Sequence, residues 1–331
     1  MATPTIKTDV AIFGGGVAGL WALNRLRDEG YSALLFEEEA LGSAQTIASQ
    51  GIIHSGIKYA LGGLPTTASE SIAAMPALWR DCLEGRGPVD LRACKLLSES
   101  CHLWSTAGAG GRLAGFLASQ LLHGSVLALQ PCDYPAALQH PDFRGRVYRL
   151  PDPVLDIPSL LATLATPHSE LIFKIDWRTA GLHARDGVAS LTTPDVHLQA
   201  QCMLLTAGGG NEALLASLGA PGPAMQRRPL QQVLVKHEYE APLFGHCIGH
   251  KPSPRLTISS HRSRDGQPVW YLGGDLATAG AAEEPGRLID RAREELAAVL
   301  PWIVLGDSPW CTLTLDRAEP RQSRLRRPDT A

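Results

Sequence analysis

An apolar strand runs straight into Gly14-Gly15-Gly16-Val17-Ala18-Gly19, a second strand is closed by Glu37, and strand-like alternation returns after residue 169. Together these features predict an α/β fold, with a Rossmann-type nucleotide-binding domain assembled from separated stretches and an interleaved mixed α+β domain. The expected bounds are 1–75, 150–225 and 300–331 for the first domain, and 76–149 and 226–299 for the second.

Residues 9–39 read as one β-α-β unit: Val10-Ala11-Ile12-Phe13, the glycine turn, a helix to about Glu29, and Ala33-Leu34-Leu35-Phe36, with Gly30 stopping the helix. Residues 40–63 are rich in Gly, Ser and Thr and are expected to form a long ordered connection of the kind that carries function. From about 70 to 130 apolar residues fall at helical spacing, at 77–83 and again from Arg112 to Leu122. Pro131, Pro135, Pro141, Pro151, Pro153 and Pro158 then cut the chain into short turns, as expected of a domain crossing.

Strands are expected at 171–175, around Val188-Ala189-Ser190-Leu191, and at Cys202-Met203-Leu204-Leu205. Further β-like runs follow at 232–236, 255–260 and 268–273, the last two joined by the hairpin signal Arg-Ser-Arg-Asp-Gly. A helix from about Pro285 to Leu300 completes the pattern.

The 331 residues are 44% hydrophobic and 19% charged, enough to bury a core, and the formal charge of −3 gives no basic field for nucleic acid. The seven cysteines form no C-x-x-C pair and read neither as a disulfide framework nor as a metal site. Without a secretory signal pattern or a membrane-length apolar run, the expected location is cytoplasmic, with peripheral membrane contact left open.

The glycines carry the first chemical signal. Gly14 permits a tight turn, Gly16 lets a pyrophosphate approach bare backbone, and Gly19 lets helix and strand pack closely, while the helix start at Val17 and Ala18 offers N–H groups to an anion. Glu37, about 20 residues on, is placed to accept from ribose hydroxyls. The motif alone does not choose between NAD and FAD. Leu204-Leu205-Thr206-Ala207-Gly208-Gly209-Gly210 reads either as an ordinary strand ending in a glycine loop or as the second strand-to-glycine signature of flavoproteins.

With the loop Gln45-Thr46-Ile47-Ala48-Ser49-Gln50-Gly51-Ile52-Ile53-His54-Ser55-Gly56-Ile57-Lys58-Tyr59, the sequence resembles the D-amino-acid oxidase-like FAD oxidoreductases. Within them it resembles the branch of glycerol-3-phosphate and L-2-hydroxyglutarate dehydrogenases, whose loop reads like Ser-Gly-x-x-His-x-Gly before a basic or aromatic pair. The resemblance extends over most of the chain and is specific at the two FAD motifs. It implies FAD as cofactor, with Thr46, Ser49, Gln50 and Gly51 lining pyrophosphate and flavin, Ala207 and Gly208 closing the pocket, and His54 and Lys58 facing the flavin's reactive edge. Lys58 stands where the glycerol-3-phosphate enzymes tend to carry arginine, so a bidentate phosphate grip is not implied.

His54 is either the base that takes a substrate proton or a partner of the loop and flavin; Lys58 is either an anion anchor or a surface lysine. Arg255, His261 and Tyr271 lie on strands that in this family roof the flavin, and Arg255 and His261 share a face if their strand is unbroken, a solvent position being the other reading for each. The chain closes on an arginine-rich tail, without the glycine-containing loop and helix that complete the family's flavin pocket, which points to truncation or to a lid supplied by a partner.

The expectation is therefore a discontinuous FAD-binding domain with a substrate domain. The reaction is oxidation of a small hydroxy or amino acid by hydride transfer to flavin, with electrons passed to a quinone, a carrier protein or oxygen. The alternatives are a glycerol-3-phosphate-type dehydrogenase and a truncated, non-catalytic FAD-binding subunit.

Overall fold

The structure is a computed structural model and describes residues 4–56, 72–105, 126–185, 188–251 and 253–321. The chain divides into two compact units: residues 1–48, 161–228 and 316–331, and residues 49–160 and 229–315. Residues 49–56, 72–75, 150–160 and 300–315, expected within the FAD-binding segments, group with the second unit. Lys58 and the helical run 112–122 lie outside the described residues.

The first unit opens with strand β1 (Thr5–Phe13), helix α1 (Val17–Asp28) and strand β2 (Ala33–Glu37). β1 begins earlier than its apolar stretch because Thr5–Thr8 pair with His197–Ala200 at an exposed end that hydrophobicity does not mark. Gly30, at φ +88°, ends α1 in the left-handed region, with its N–H bonded to the Arg27 carbonyl and that of Tyr31 to Leu26. Among the described residues the sheet runs, in spatial order, Ile172–Lys174, β2, β1, His197–Leu205, Val188–Thr192 and Gly181–Arg185. The first four strands are parallel, the fifth runs antiparallel to the fourth and the sixth antiparallel to the fifth. A parallel sheet must be covered on both faces, which explains why the end of β1 reads as a continuous apolar run. Ala11 and Phe13 enter one buried cluster with Phe36, Leu182 and Leu198, while Ile12, fully buried, alternates to the opposite face.

The second unit is organised on a larger mixed sheet. Strand Pro254–Arg262 pairs antiparallel with Pro268–Gly273 and with Gly245–Ile248, and the latter pairs parallel with Cys101–Ser105. The hairpin signal is realised: Gly266 takes φ +84° and the Ser263 N–H bonds the Gln267 carbonyl. Leu256, Ile258, Trp270 and Leu272 pack with Leu288, Ala292, Leu296 and Val299 of helix Pro285–Val299 in one apolar cluster. Strand alternation therefore sends Thr257, Ser259, His261 and Tyr271 to the opposite, polar face. No helix among the described residues is long and apolar enough to cross a membrane.

Candidate functional site

In the first unit, β1 and strand His197–Leu205 end side by side, with Phe13 opposite Leu205. Beyond their carboxyl ends, where neighbouring connections leave in different directions, open α/β sheets bind ligands. A cavity of about 770 Å³ lies there, within the range of small-molecule and cofactor sites. Gly14, Gly16, Glu37, Thr46, Ala207 and Gly208, all expected from the sequence, line it.

Close packing of backbones dictates the glycines. Gly14 sits at φ +112°, and a Cβ there would lie 2.5 Å from the Ala207 nitrogen. One on Gly19 would lie 2.0 Å from the Gly14 carbonyl oxygen. The Thr206 hydroxyl seals this seam, its Oγ1 lying 2.8 Å from the Gly14 carbonyl and 3.0 Å from that of Phe13. Gly16 differs: a Cβ there would meet only Thr46 Oγ1, at 3.1 Å, leaving its backbone on the cavity.

Gly16 is also the N-cap of α1 and offers no side chain to cap it, so the Thr46 hydroxyl accepts from the Val17 N–H at 3.1 Å. A hydroxyl that accepts there keeps its own proton to donate. The Glu37 carboxylate accepts from the Gly15 N–H and, at 2.9 Å, from the Glu39 N–H, which holds the acid at the mouth of the turn. The bare Gly16 backbone at the helix start, a hydroxyl donor and a fixed carboxylate acceptor on the cavity suit a dinucleotide's diphosphate and ribose. These residues fit FAD.

Val17, Ala18 and Gly19 do not line the cavity; Gly19 is buried in the helix–strand seam. Sequence reasoning left out Gln45, Trp177, Gly209 and Gly210, all of which line it. Gly209 and Gly210 belong to the strand-to-glycine stretch 204–210, whereas Trp177 reaches the cavity only through the sheet's order and carries no local signal.

In the second unit, residues 51–55 run antiparallel to 152–155: Leu155 N–H donates to the Gly51 carbonyl and Ile53 N–H to the Pro153 carbonyl, each at 2.9 Å. Gly51, at φ +72°, leaves 2.2 Å between a hypothetical Cβ and the Leu155 carbonyl oxygen, so its requirement is this close approach. Gln50, which was expected at the flavin, donates to the Tyr271 carbonyl at 3.0 Å. Ser49 is half-buried at the start of this segment.

This pairing brings His54 to Asp152. His54 Nδ1 lies 3.4 Å from Asp152 Oδ2, and the Ser55 N–H donates to Oδ1 at 2.9 Å. The Asp152 side chain is 2% exposed and that of His54 20%. A buried carboxylate on Nδ1 fixes the ring's orientation and tautomer. The His246 ring lies 5.7 Å from that of His54, and its Nδ1 is 2.9 Å from the Thr257 hydroxyl.

Further along the same face, His261 Nε2 is 2.9 Å from the Ser259 hydroxyl and its ring 4.5 Å from that of Tyr271. Burial pushes the His261 imidazole down to about 4, opposed by Asp156, and burial, with Cys311 and Asp156, raises the Tyr271 phenol. Near neutral pH both are uncharged hydrogen-bonding groups.

Arg255 departs from expectation. Cys247 pairs with Leu256 and Ile248 with Pro254, so the register shifts and Arg255 is the extra residue. Such a bulge re-aims a side chain. Arg255 forms an ion pair with Glu295 on helix Pro285–Val299, beside Cys247 of the apolar cluster, whose thiol burial pushes up to about 12, with Arg255 lowering and Glu295 raising it. It does not share the face of His261, since the strand is not unbroken.

The chain belongs to the FAD dependent oxidoreductase family, whose model matches residues 9–319. It is an FAD-dependent oxidoreductase. Over 327 residues it is 48% identical to the probable FAD-dependent oxidoreductase PA4991 of Pseudomonas aeruginosa, covering 98% of this chain and 83% of the relative. The crystal structure of that protein superposes with a TM-score of 0.84 at 43% identity, over 99% of this chain and 83% of the other. Glycine oxidase from Geobacillus kaustophilus shares the fold at TM-score 0.66 and 18% identity, over 95% and 83% of the two chains. L-alpha-glycerophosphate oxidase from Mycoplasma pneumoniae, with FAD bound, does so at 0.63 and 14%, over 93% and 83%. These likenesses establish the family and the fold without singling out the glycerol-3-phosphate or L-2-hydroxyglutarate dehydrogenase branch.

Proposed function

We propose that this oxidoreductase oxidises a small 2-hydroxy or amino acid, with His54 taking the proton from the substrate's hydroxyl or amine. The observation that carries the reading is the pairing of His54 with the buried carboxylate of Asp152. A carboxylate on Nδ1 stabilises the imidazolium that forms when the ring accepts a proton. Bound FAD supplies the two-electron acceptor for the hydride that leaves the substrate carbon. Oxidation then balances: the carbon loses a hydride, the heteroatom loses a proton to His54, and a keto or imino acid results.

In this reading Gly14, Gly16, Glu37, Thr46, Ala207 and Gly208 hold the cofactor. Thr46 donates its hydroxyl proton to the diphosphate and Glu37 accepts from the ribose. His261 and Tyr271 meet the substrate as neutral partners. Their neutrality, together with the ion pair that engages Arg255, favours a small polar acid over a phosphorylated substrate, which would call for a forked cation. Lys58, outside the described residues, remains our candidate for the carboxylate anchor. Electrons leave to a quinone, a carrier protein or oxygen.

The test is anaerobic reduction of the holoprotein with 2-hydroxy acids, amino acids and glycerol 3-phosphate, followed by bleaching of the visible flavin band. Bleaching by a 2-hydroxy or amino acid is the expected result. Reduction by glycerol 3-phosphate alone would overturn the substrate class.

A further inference from the structure

Beyond the glycine turn, the FAD cavity has a second wall, Ala207–Gly210, whose backbone is held from outside by a side chain absent from both flavin motifs. Arg227 opens strand Met225–Lys236. Its Nη2 donates to the Gly209 carbonyl at 3.2 Å and to Glu212 Oε2 at 3.1 Å, and its Nη1 donates to Asp316 Oδ2 at 3.1 Å. One guanidinium thus joins three separated pieces of chain: the glycine wall, the start of the helix after it, and the closing strand Trp310–Pro320.

Neighbouring contacts make this a clamp on the cavity. Glu212 also accepts from the Met225 N–H at 2.9 Å, which fixes the carboxylate Arg227 grips. Two residues past Asp316, the Ala318 carbonyl accepts from Gln45 Nε2 at 3.3 Å, so the same strand holds a second cavity-lining residue. At the wall itself, Gly208 takes φ +54° and the Gly210 N–H bonds the Ala207 carbonyl at 2.9 Å. With the Gly209 carbonyl drawn to Arg227 and the Gly210 amide drawn to Ala207, the peptide between them is fixed at both ends. A Cβ on Gly209 would lie 2.7 Å from Nη1, so the guanidinium comes close against bare backbone.

We propose that Arg227 is a positioning residue for FAD: by holding the Gly209 carbonyl outward it presets the Ala207–Gly210 wall in its binding shape, so that binding does not bear the cost of ordering a glycine loop. Three consecutive glycines would otherwise sample many backbone states, and presetting them favours affinity through entropy rather than through a new contact. The pairs are about half exposed, so their direct contribution to folding is small. The geometry also demands arginine, because a lysine ammonium is a point charge without the planar fork that serves three acceptors at once.

The inference rests on the reading that this cavity is the FAD site, and the experiment separates the two. Apoprotein prepared from the holoenzyme is titrated with FAD, and the dissociation constant and off-rate are read from flavin fluorescence. Arg227→Gln is expected to weaken FAD about tenfold, mostly through a faster off-rate, and Arg227→Lys to recover little of it, while the thermal midpoint of the apoprotein stays near wild type. Arg92→Gln, which removes an exposed pair with Asp90 in the other unit, serves as control and leaves FAD affinity unchanged. If Arg227→Gln does not fold, Asp316→Asn and Glu212→Gln each remove one anchor and are expected to weaken FAD severalfold. Affinity within twofold of wild type in Arg227→Gln, or in both anchor variants, overturns the clamp. Unchanged affinity when Gly16 is replaced by Val would instead overturn the site itself.

Discussion

The two units place chemistry by different means. In the first, the working surface is backbone: Gly14, Gly16 and Gly208 present a bare chain to the cavity, and the side chains that matter, Thr46 and Glu37, bond to the turn itself. In the second, the working surface we propose is a row of side chains: His246, Thr257, Ser259 and His261 on one face of a sheet, and His54 on the segment paired with 152–155. A backbone site tolerates almost no added atoms where chains pack against each other, as at Gly14 and Gly19. A side-chain site tolerates atoms but depends on partners about a hundred residues away, as His54 depends on Asp152.

The largest break in this comparison is expected at the seam of the first unit. Gly19→Ala would put a Cβ 2.0 Å from the Gly14 carbonyl oxygen and 2.7 Å from Thr206 Oγ1, contacts that backbone cannot relieve by rotation. It should cost about 3 kcal/mol or more and abolish FAD retention, measured by thermal melting and by the flavin-to-protein absorbance ratio. A variant that keeps its flavin and its melting midpoint would refute the close-packed turn.

Next in size are the side chains of the second unit. His54→Gln should slow reduction of bound flavin by the productive substrate by roughly 10²–10⁴-fold, with FAD affinity retained. Asp152→Asn keeps the shape but removes the charge that orients the ring, and should cost about 10²-fold. Stopped-flow reduction measures both. Equal rates in wild type and Asp152→Asn would leave the carboxylate as a structural partner of the Ser55 amide alone.

How much was legible follows from the same contrast. The glycine turn, Glu37 and the Thr206-Ala207-Gly208 strand end were readable because the spacing of one short segment states their geometry. Asp152 was not: it sits between Pro151 and Pro153 in a stretch that reads as turns, and only the pairing of 51–55 with 152–155 brings it to His54. The place of Arg255 was readable only on the condition of an unbroken strand, for a related reason. Alternation puts it with His261, but a register shift against Cys247 and Ile248 turns it toward Glu295, and a bulge leaves no mark in the alternation of its own strand. Gly51 fits the family's loop, yet its positive φ answers to Leu155.

A smaller effect tests the neutrality of the second unit's imidazoles. Burial pushes His237 down to about 4 from the ordinary 6.5, with Glu240 raising it and Arg262 lowering it, and its ring packs 4.5 Å from that of Trp270. Burial likewise takes His261 to about 4. Between these values and 6.5 the unfolded chain binds more protons than the native one, so stability rises with pH across this window. It is full above 6.5 and lost as pH falls toward 4. The thermal midpoint should drop over this interval, and His237→Gln should flatten the drop. A midpoint that is level, or that rises on acidification, would mean these rings are charged in the native state.

The smallest effects separate conformation from space, which the first unit's glycines combine. Gly30 and Gly286 both have open room where a Cβ would go, but Gly30 takes φ +88° and Gly286 lies in the first turn of helix Pro285–Val299 without a left-handed angle. Gly30→Ala should cost about 1 kcal/mol through backbone strain alone, whereas Gly286→Ala should stabilise by about 0.5–1 kcal/mol by narrowing the unfolded chain's freedom. Opposite signs in denaturant melts of the two variants would show that the severity at Gly19 comes from its crowded seam. Equal losses would mean that glycine is required in this chain for a reason other than the contacts and angles that distinguish these positions.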